Sequence, residues 1–159
     1  MRRFLAVLCG VAILACAPAT TLAAPPLAEA ADLRAEAARA ARAGGPLIVI
    51  YSRADCKYCQ TVKRDYLQPL AADPQRGKRV VVREIRQDAA LPLRDFAGRP
   101  TDHASFTGAR GIRLVPVVAF YGPDGRELAE PLVGAGLPDF YQSYLDDAIA
   151  DASRRLARP

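Results

Sequence analysis

Apolar and polar positions divide the chain into a short list of elements. Glu29 to Ala43 is alanine-rich, with Leu33, Ala37, Ala40 and Ala41 on one side and arginines at 34, 39 and 42 on the other. This pattern predicts a helix with a weak apolar face. Gly44-Gly45 ends it and Pro46 blocks its continuation. Leu47 to Tyr51 is an unbroken apolar run, the composition of a short strand buried on both faces. Polar Ser52 to Asp55 interrupt the run. Gln60 to Leu67 then reads as a helix with Val62, Tyr66 and Leu67 on one side, disturbed by Pro69.

Val80 to Ile85 is a second strand, and Leu91 to Phe96 a short apolar piece, one helical turn or a loop, closed by Gly98. Thr101 is placed to cap a helix from Asp102 to Ala109, with His103 a solvated residue of its first turn. Pro116 opens an apolar strand that runs to Tyr121. Gly122-Pro123-Asp124-Gly125 is a tight hairpin turn, and Arg126 to Val133 is its partner strand, placed at an edge by Pro131. Leu137 to Leu156 is a final helix whose stripe is Phe140, Tyr141, Tyr144, Leu145, Ala148, Ile149 and Ala152.

The first residues change the picture of compartment. Met1-Arg2-Arg3 is positive, Phe4 to Ala15 is almost wholly apolar, and small residues follow. That is the layout of a secretory signal, with cleavage near Ala23. Ile13-Leu14-Ala15-Cys16 offers an alternative, a lipoprotein anchored through Cys16. The expected division is a signal over residues 1–23, a helical extension over 24–45 and one domain over 46–159. Losing Arg2 and Arg3 from 22 basic residues leaves 20 against 17 acidic ones, a net charge of +3 that does not argue for nucleic-acid binding. Of four cysteines only Cys56 and Cys59 survive cleavage, and the periplasm would let such a pair cycle.

Cys56-Lys57-Tyr58-Cys59 lies between the first strand and the helix after it. Two thiols at this spacing on a first helical turn can reach bonding distance. Cys56, nearer the helix start, would face unpaired backbone N–H groups and the positive end of the helix dipole, which favour a thiolate. Lys57 adds a positive charge nearby. Cys56 is thus the candidate nucleophile and Cys59 the candidate resolving thiol of a redox-active disulfide. Other uses of the pair are a structural disulfide, half of a zinc site, a soft-metal site for Cu(I), or a redox-inert binding module. Zinc would want a second Cys/His pair, and the chain has one histidine, His103. Gln60 after the second cysteine excludes c-type haem attachment. No cofactor is implied and no metal is assigned.

From Pro46 to Ala152 the chain resembles the thioredoxin-like superfamily, particularly its exported bacterial members. The resemblance rests on Cys56-Lys57-Tyr58-Cys59 after a strand, on Val115-Pro116 opening a later strand, and on the Gly122–Gly125 hairpin followed by a last helix. It implies an α/β fold with a central mixed sheet of about four strands flanked by helices. It implies a thiol–disulfide oxidoreductase acting on protein thiols and disulfides. Pro116 would match the family's cis-proline, and Val115, Pro116, Lys57 and Tyr58 would meet the substrate. A monomer is expected, and a reductase or isomerase would draw electrons from a membrane-embedded donor. Asp55 stands where thioredoxin proper has tryptophan, and Ile50 where it has a buried aspartate. Deprotonation of Cys59 is then left to solvent or to another group.

Overall fold

The computed structural model describes residues 25–136 and 138–158. The signal and lipobox readings fall outside them. Strands β1 (Leu47–Ser52), β2 (Val81–Arg86), β5 (Val117–Tyr121) and β6 (Leu132–Val133) form one sheet in the order β2-β1-β5-β6. β1 pairs parallel with β2 and antiparallel with β5, and β5 pairs antiparallel with β6. This is the mixed four-stranded sheet that the sequence pointed to. All six residues of β1 are buried, as its unbroken apolar run requires.

The sheet has two packed faces because strand side chains alternate. Ile48, Ile50, Val82, Val118 and Phe120 face Val62, Leu67 and Leu70 and the last helix, α5 (Pro138–Leu156). Leu47, Val49, Tyr51, Val81, Ile85 and Ala119 face α1 (Leu33–Arg42) and Phe106 of α4 (His103–Ala109). Leu33, Ala37 and Ala40 of α1 are buried, so the weakly apolar face is a true core layer. Its alanines let the helix lie close to the sheet. Ahead of α1, the chain pairs with the outer edge of β2. Ala30 N–H donates to Glu84 O and Glu84 N–H to Ala28 O, at 2.9 and 3.0 Å.

Several local expectations are corrected. The redox helix begins earlier than Gln60, as α2 (Lys57–Val62), and continues through a π-helical turn (Lys63–Leu67) into α3 (Gln68–Ala72). Pro69 has no N–H to return to Asp65, and its ring crowds that carbonyl. The helix widens there, with Gln68 N–H reaching Lys63 O, instead of breaking. Within Leu91–Phe96 lies β3 (Pro92–Arg94), paired antiparallel with β4 (Pro100–Asp102). Asp102, not Thr101, caps α4 by accepting the Ser105 N–H at 2.9 Å. The partner strand after the hairpin narrows to Leu132–Val133, because Pro131 cannot donate into a ladder.

His103 is fully buried rather than solvated. Its Nδ1 accepts the Arg86 N–H at 3.0 Å, which leaves the proton on Nε2, facing Ala30 O at 2.8 Å. It ties α4 to β2 and to the segment before α1. Phe140 and Tyr144 of the expected α5 stripe are exposed, while Tyr141, Leu145, Ala148 and Ala152 are buried. In the hairpin turn, Gly125 has φ of +76°, and a Cβ there would stand 2.5 Å from the Phe96 ring. Glycine is required at this position on both counts.

Candidate active site

β1 ends at Ser52, and the chain must turn within four residues to start α2. Two carboxylates shape that turn. Asp88, beyond β2, accepts the Ala54 N–H at 2.9 Å, and Asp55 pairs bidentately with Arg53 at 3.0 and 2.8 Å. The Ala54 N–H holds the Asp88 carboxyl below the usual aspartate range.

Cys56 is the N-cap residue of α2. Its Sγ accepts the backbone N–H of Cys59 at 3.1 Å, one of the donors a helix start leaves unpaired. Cys56 and Cys59 are joined by a disulfide, with their Cα atoms 5.2 Å apart. Cys56 is half-buried, whereas Cys59 is fully buried under the helix. An incoming sulfur therefore has access to Cys56 and not to Cys59.

The loop before β5 closes over the pair. The Val115 carbonyl oxygen lies 3.9 Å from Cys56 Sγ, the Val115–Pro116 peptide is cis, and Pro116 is buried. The Gly134 N–H just after β6 donates to the Pro116 carbonyl at 2.8 Å, so the end of β6 meets the same place. Three exposed apolar side chains stand on these segments: Tyr58 at 55 %, Leu114 at 73 % and Val133 at 63 %. Lys57 Nζ lies over the Tyr58 ring, 5.0 Å from its centre. A groove of about 370 Å3 runs from Ile112 and Leu114 past Val117 to Pro131 and Val133. Cys56, Cys59, Val115 and Pro116 thus come together, with Lys57 and Tyr58 on the solvent side.

The sequence reading missed a buried polar group on the core side of α2. Glu84 of β2 accepts from Ser52 Oγ–H at 2.5 Å and from Lys63 Nζ at 2.7 Å. The side chains of Lys63 and Glu84 are 12 % and 10 % exposed. A signal for it existed. Val80, Val82 and Glu84 share one face by strand period, so a carboxylate was written into a core face. Among the described residues, no three His, Cys, Asp or Glu side chains gather as a metal site.

A family model described as thioredoxin-like matches residues 28–123. No curated protein matches the chain in sequence. Among solved structures, a mutant thioredoxin from Halobacterium salinarum is 17 % identical, with a TM-score of 0.51 over 82 % of this chain and 96 % of that one. An oxidoreductase named DsbH is 15 % identical, with a TM-score of 0.51 over 87 % and 95 %. A thioredoxin-fold protein from Helicobacter pylori is 11 % identical, with a TM-score of 0.50 over 70 % and 79 %. At these identities the likeness is one of fold.

Proposed function

The chain belongs to the thioredoxin-like family, and from that premise we propose that it is an exported thiol–disulfide oxidoreductase whose substrates are protein thiols and disulfides. The observation that carries the reading is the asymmetry of the pair: an N-capping, half-buried Cys56 bonded to a fully buried Cys59. Cys56 is the nucleophile. In the dithiol its thiolate would accept the Cys59 N–H and sit at the positive end of α2, which lowers its pKa. It attacks a substrate disulfide, forming a mixed disulfide and releasing one substrate thiolate. Cys59, once deprotonated, attacks Cys56 Sγ, closes the Cys56–Cys59 disulfide and releases the second substrate thiolate. The two electrons come from the dithiol, and the released thiolates take up the two thiol protons.

A polypeptide substrate suits the surroundings. The half-buried Val115, whose carbonyl lies beside Cys56, offers a place to pair with an extended chain, and Tyr58, Leu114 and Val133 offer it apolar contact. Lys57 borders that surface, and the buried Pro116 would hold the Val115 carbonyl in place behind it. For continued reduction in an oxidising compartment, a membrane-embedded donor would return electrons to the pair. Export rests on the pattern of Met1 to Ala23, and action as a monomer is part of the same reading.

Trapping tests it. Cys59→Ser should attack but fail to resolve, accumulating mixed disulfides through Cys56 that dithiothreitol releases. Normal turnover without trapping by Cys59→Ser, with Cys56→Ser trapping partners instead, would reverse the roles.

A further inference from the structure

The end of the sheet away from the redox pair carries an unbalanced positive charge. β1 and β2 start there and β5 finishes there. The connecting segments bring cations with them. Arg39 and Lys78 line one shallow depression, Arg79 lies beside the last turns of α5 in a second, and Arg155 and Arg158 line a third with the hairpin. Arg42, in the last turn of α1, joins them, because Gly45 leaves no room for a side chain against the Arg79 carbonyl. All six are exposed, and among the described residues none has an ion-pair partner. Asp146, Asp124 and Asp151 nearby are taken up by Arg76, Arg126 and Arg154. Glu127 of the hairpin opposes the six in part. With 20 basic against 17 acidic residues the expected mature chain is +3, and without these six it would be −3. The charge is therefore polarised along the sheet.

The chain enters at the same end. Leu27 packs with Val80 and Leu70, and Ala28 to Ala30 runs parallel to β2, which places Pro25 near the start of that strand. Residues 1–24 are thus attached beside the cations. We propose that this end is a docking surface for an anionic phospholipid bilayer, which the export reading brings within reach, and that it orients Cys56 away from the membrane. The exposed large apolar side chains of the described residues lie elsewhere, so the protein would rest on the headgroups without inserting, and salt would screen the contact. The length of β1 alone sets the redox pair about 17 Å further out. A membrane-embedded electron donor would have to meet it with a part standing clear of the bilayer.

Moving the charge loss around the surface separates docking from net charge. The probe is vesicles of phosphatidylcholine with about 30 % phosphatidylglycerol, and the readout is co-sedimentation of the purified exported protein at about 0.05 M salt. Wild-type protein should bind these vesicles, bind pure phosphatidylcholine vesicles at least about tenfold less, and be released at about 0.5 M salt. Each basic side chain at such a surface contributes up to about fivefold in partition. The triple variant Arg79→Gln, Arg155→Gln, Arg158→Gln should therefore lose at least about tenfold, while reducing insulin as wild type does, which shows that it folds. A second triple, Arg34→Gln, Arg94→Gln, Arg113→Gln, has the same net charge and alters the start of α1, β3 and the loop before β5. It should lose less than about threefold. Equal losses in the two triples, equal binding to neutral vesicles, or binding to DNA but not to vesicles would each overturn the proposal. The vesicle result does not depend on export, so failure of the surface and failure of the export reading, seen in the intact mass, are told apart.

Discussion

At the scale of residues, the two cysteines differ in exposure and in hydrogen bonding, and their reactivity should differ accordingly. In the reduced protein Cys56 should be alkylated by iodoacetamide at least about tenfold faster than Cys59, the factor that one pKa unit of thiolate fraction supplies. Peptide mapping after short exposure gives the order. Asp88 makes a second residue-scale claim, with a definite sign. Its folded-state carboxyl is held below the ordinary range, first by the Ala54 N–H, so its stabilisation is present above the ordinary aspartate pKa and is lost as pH falls through the depressed one. Asp88→Asn should lower stability near neutral pH by less than about 1 kcal/mol, since the group is solvent-screened. It should also flatten the decline between about pH 5 and about pH 2, read by urea unfolding at each pH. The cysteines and the Val115-Pro116 step were legible because their chemistry is local in sequence. Glu84 was not read as part of the site because its partner Lys63 lies 21 positions away on another element. Only folding the Ile50–Glu84 register under α2 brings the two together.

At the scale of elements, β1, β2 and β5 were legible as apolar runs, whereas β3 and β4 were not. Each of the latter has three residues with a proline at its start, and only Leu93 of β3 is deeply buried. Neither length nor periodicity marks such a hairpin. His103 misled for a related reason: its two hydrogen bonds go to backbone at Arg86 and Ala30, contacts that no local pattern encodes. The helix α1 shows how small residues hide a core face. Leu33 is fully buried there, and Leu33→Ala should cost about 2–5 kcal/mol. Asp32 caps the same helix by accepting the Ala35 N–H at 2.9 Å, and Asp32→Ala should cost about 1 kcal/mol. Urea midpoints with unchanged slope would verify both. A Leu33→Ala effect below about 0.5 kcal/mol would show that α1 is a dispensable appendage.

At the scale of the whole molecule, the sheet gathers four separate segments at one end: the start of α2, the loop before β5, the end of β6 and the turn after β2. The redox pair, its covering loop and the exposed apolar side chains all belong to that end. No described helix is long and apolar enough to cross a membrane. The proposed export rests on the sequence pattern of residues 1–23, and the exported protein should begin near Ala24 by intact mass; a chain still carrying Met1 in the cytoplasm would contradict export, and a diacylated Cys16 would establish the lipoprotein alternative. The central claim, that the Cys56–Cys59 pair exchanges disulfides with proteins, is tested most directly by reduction of insulin with dithiothreitol as electron source. Wild-type protein should accelerate precipitation of the insulin B chain well beyond dithiothreitol alone, and Cys56→Ser should give no acceleration. Wild-type protein no faster than dithiothreitol, or Cys56→Ser as fast as wild type, would contradict it.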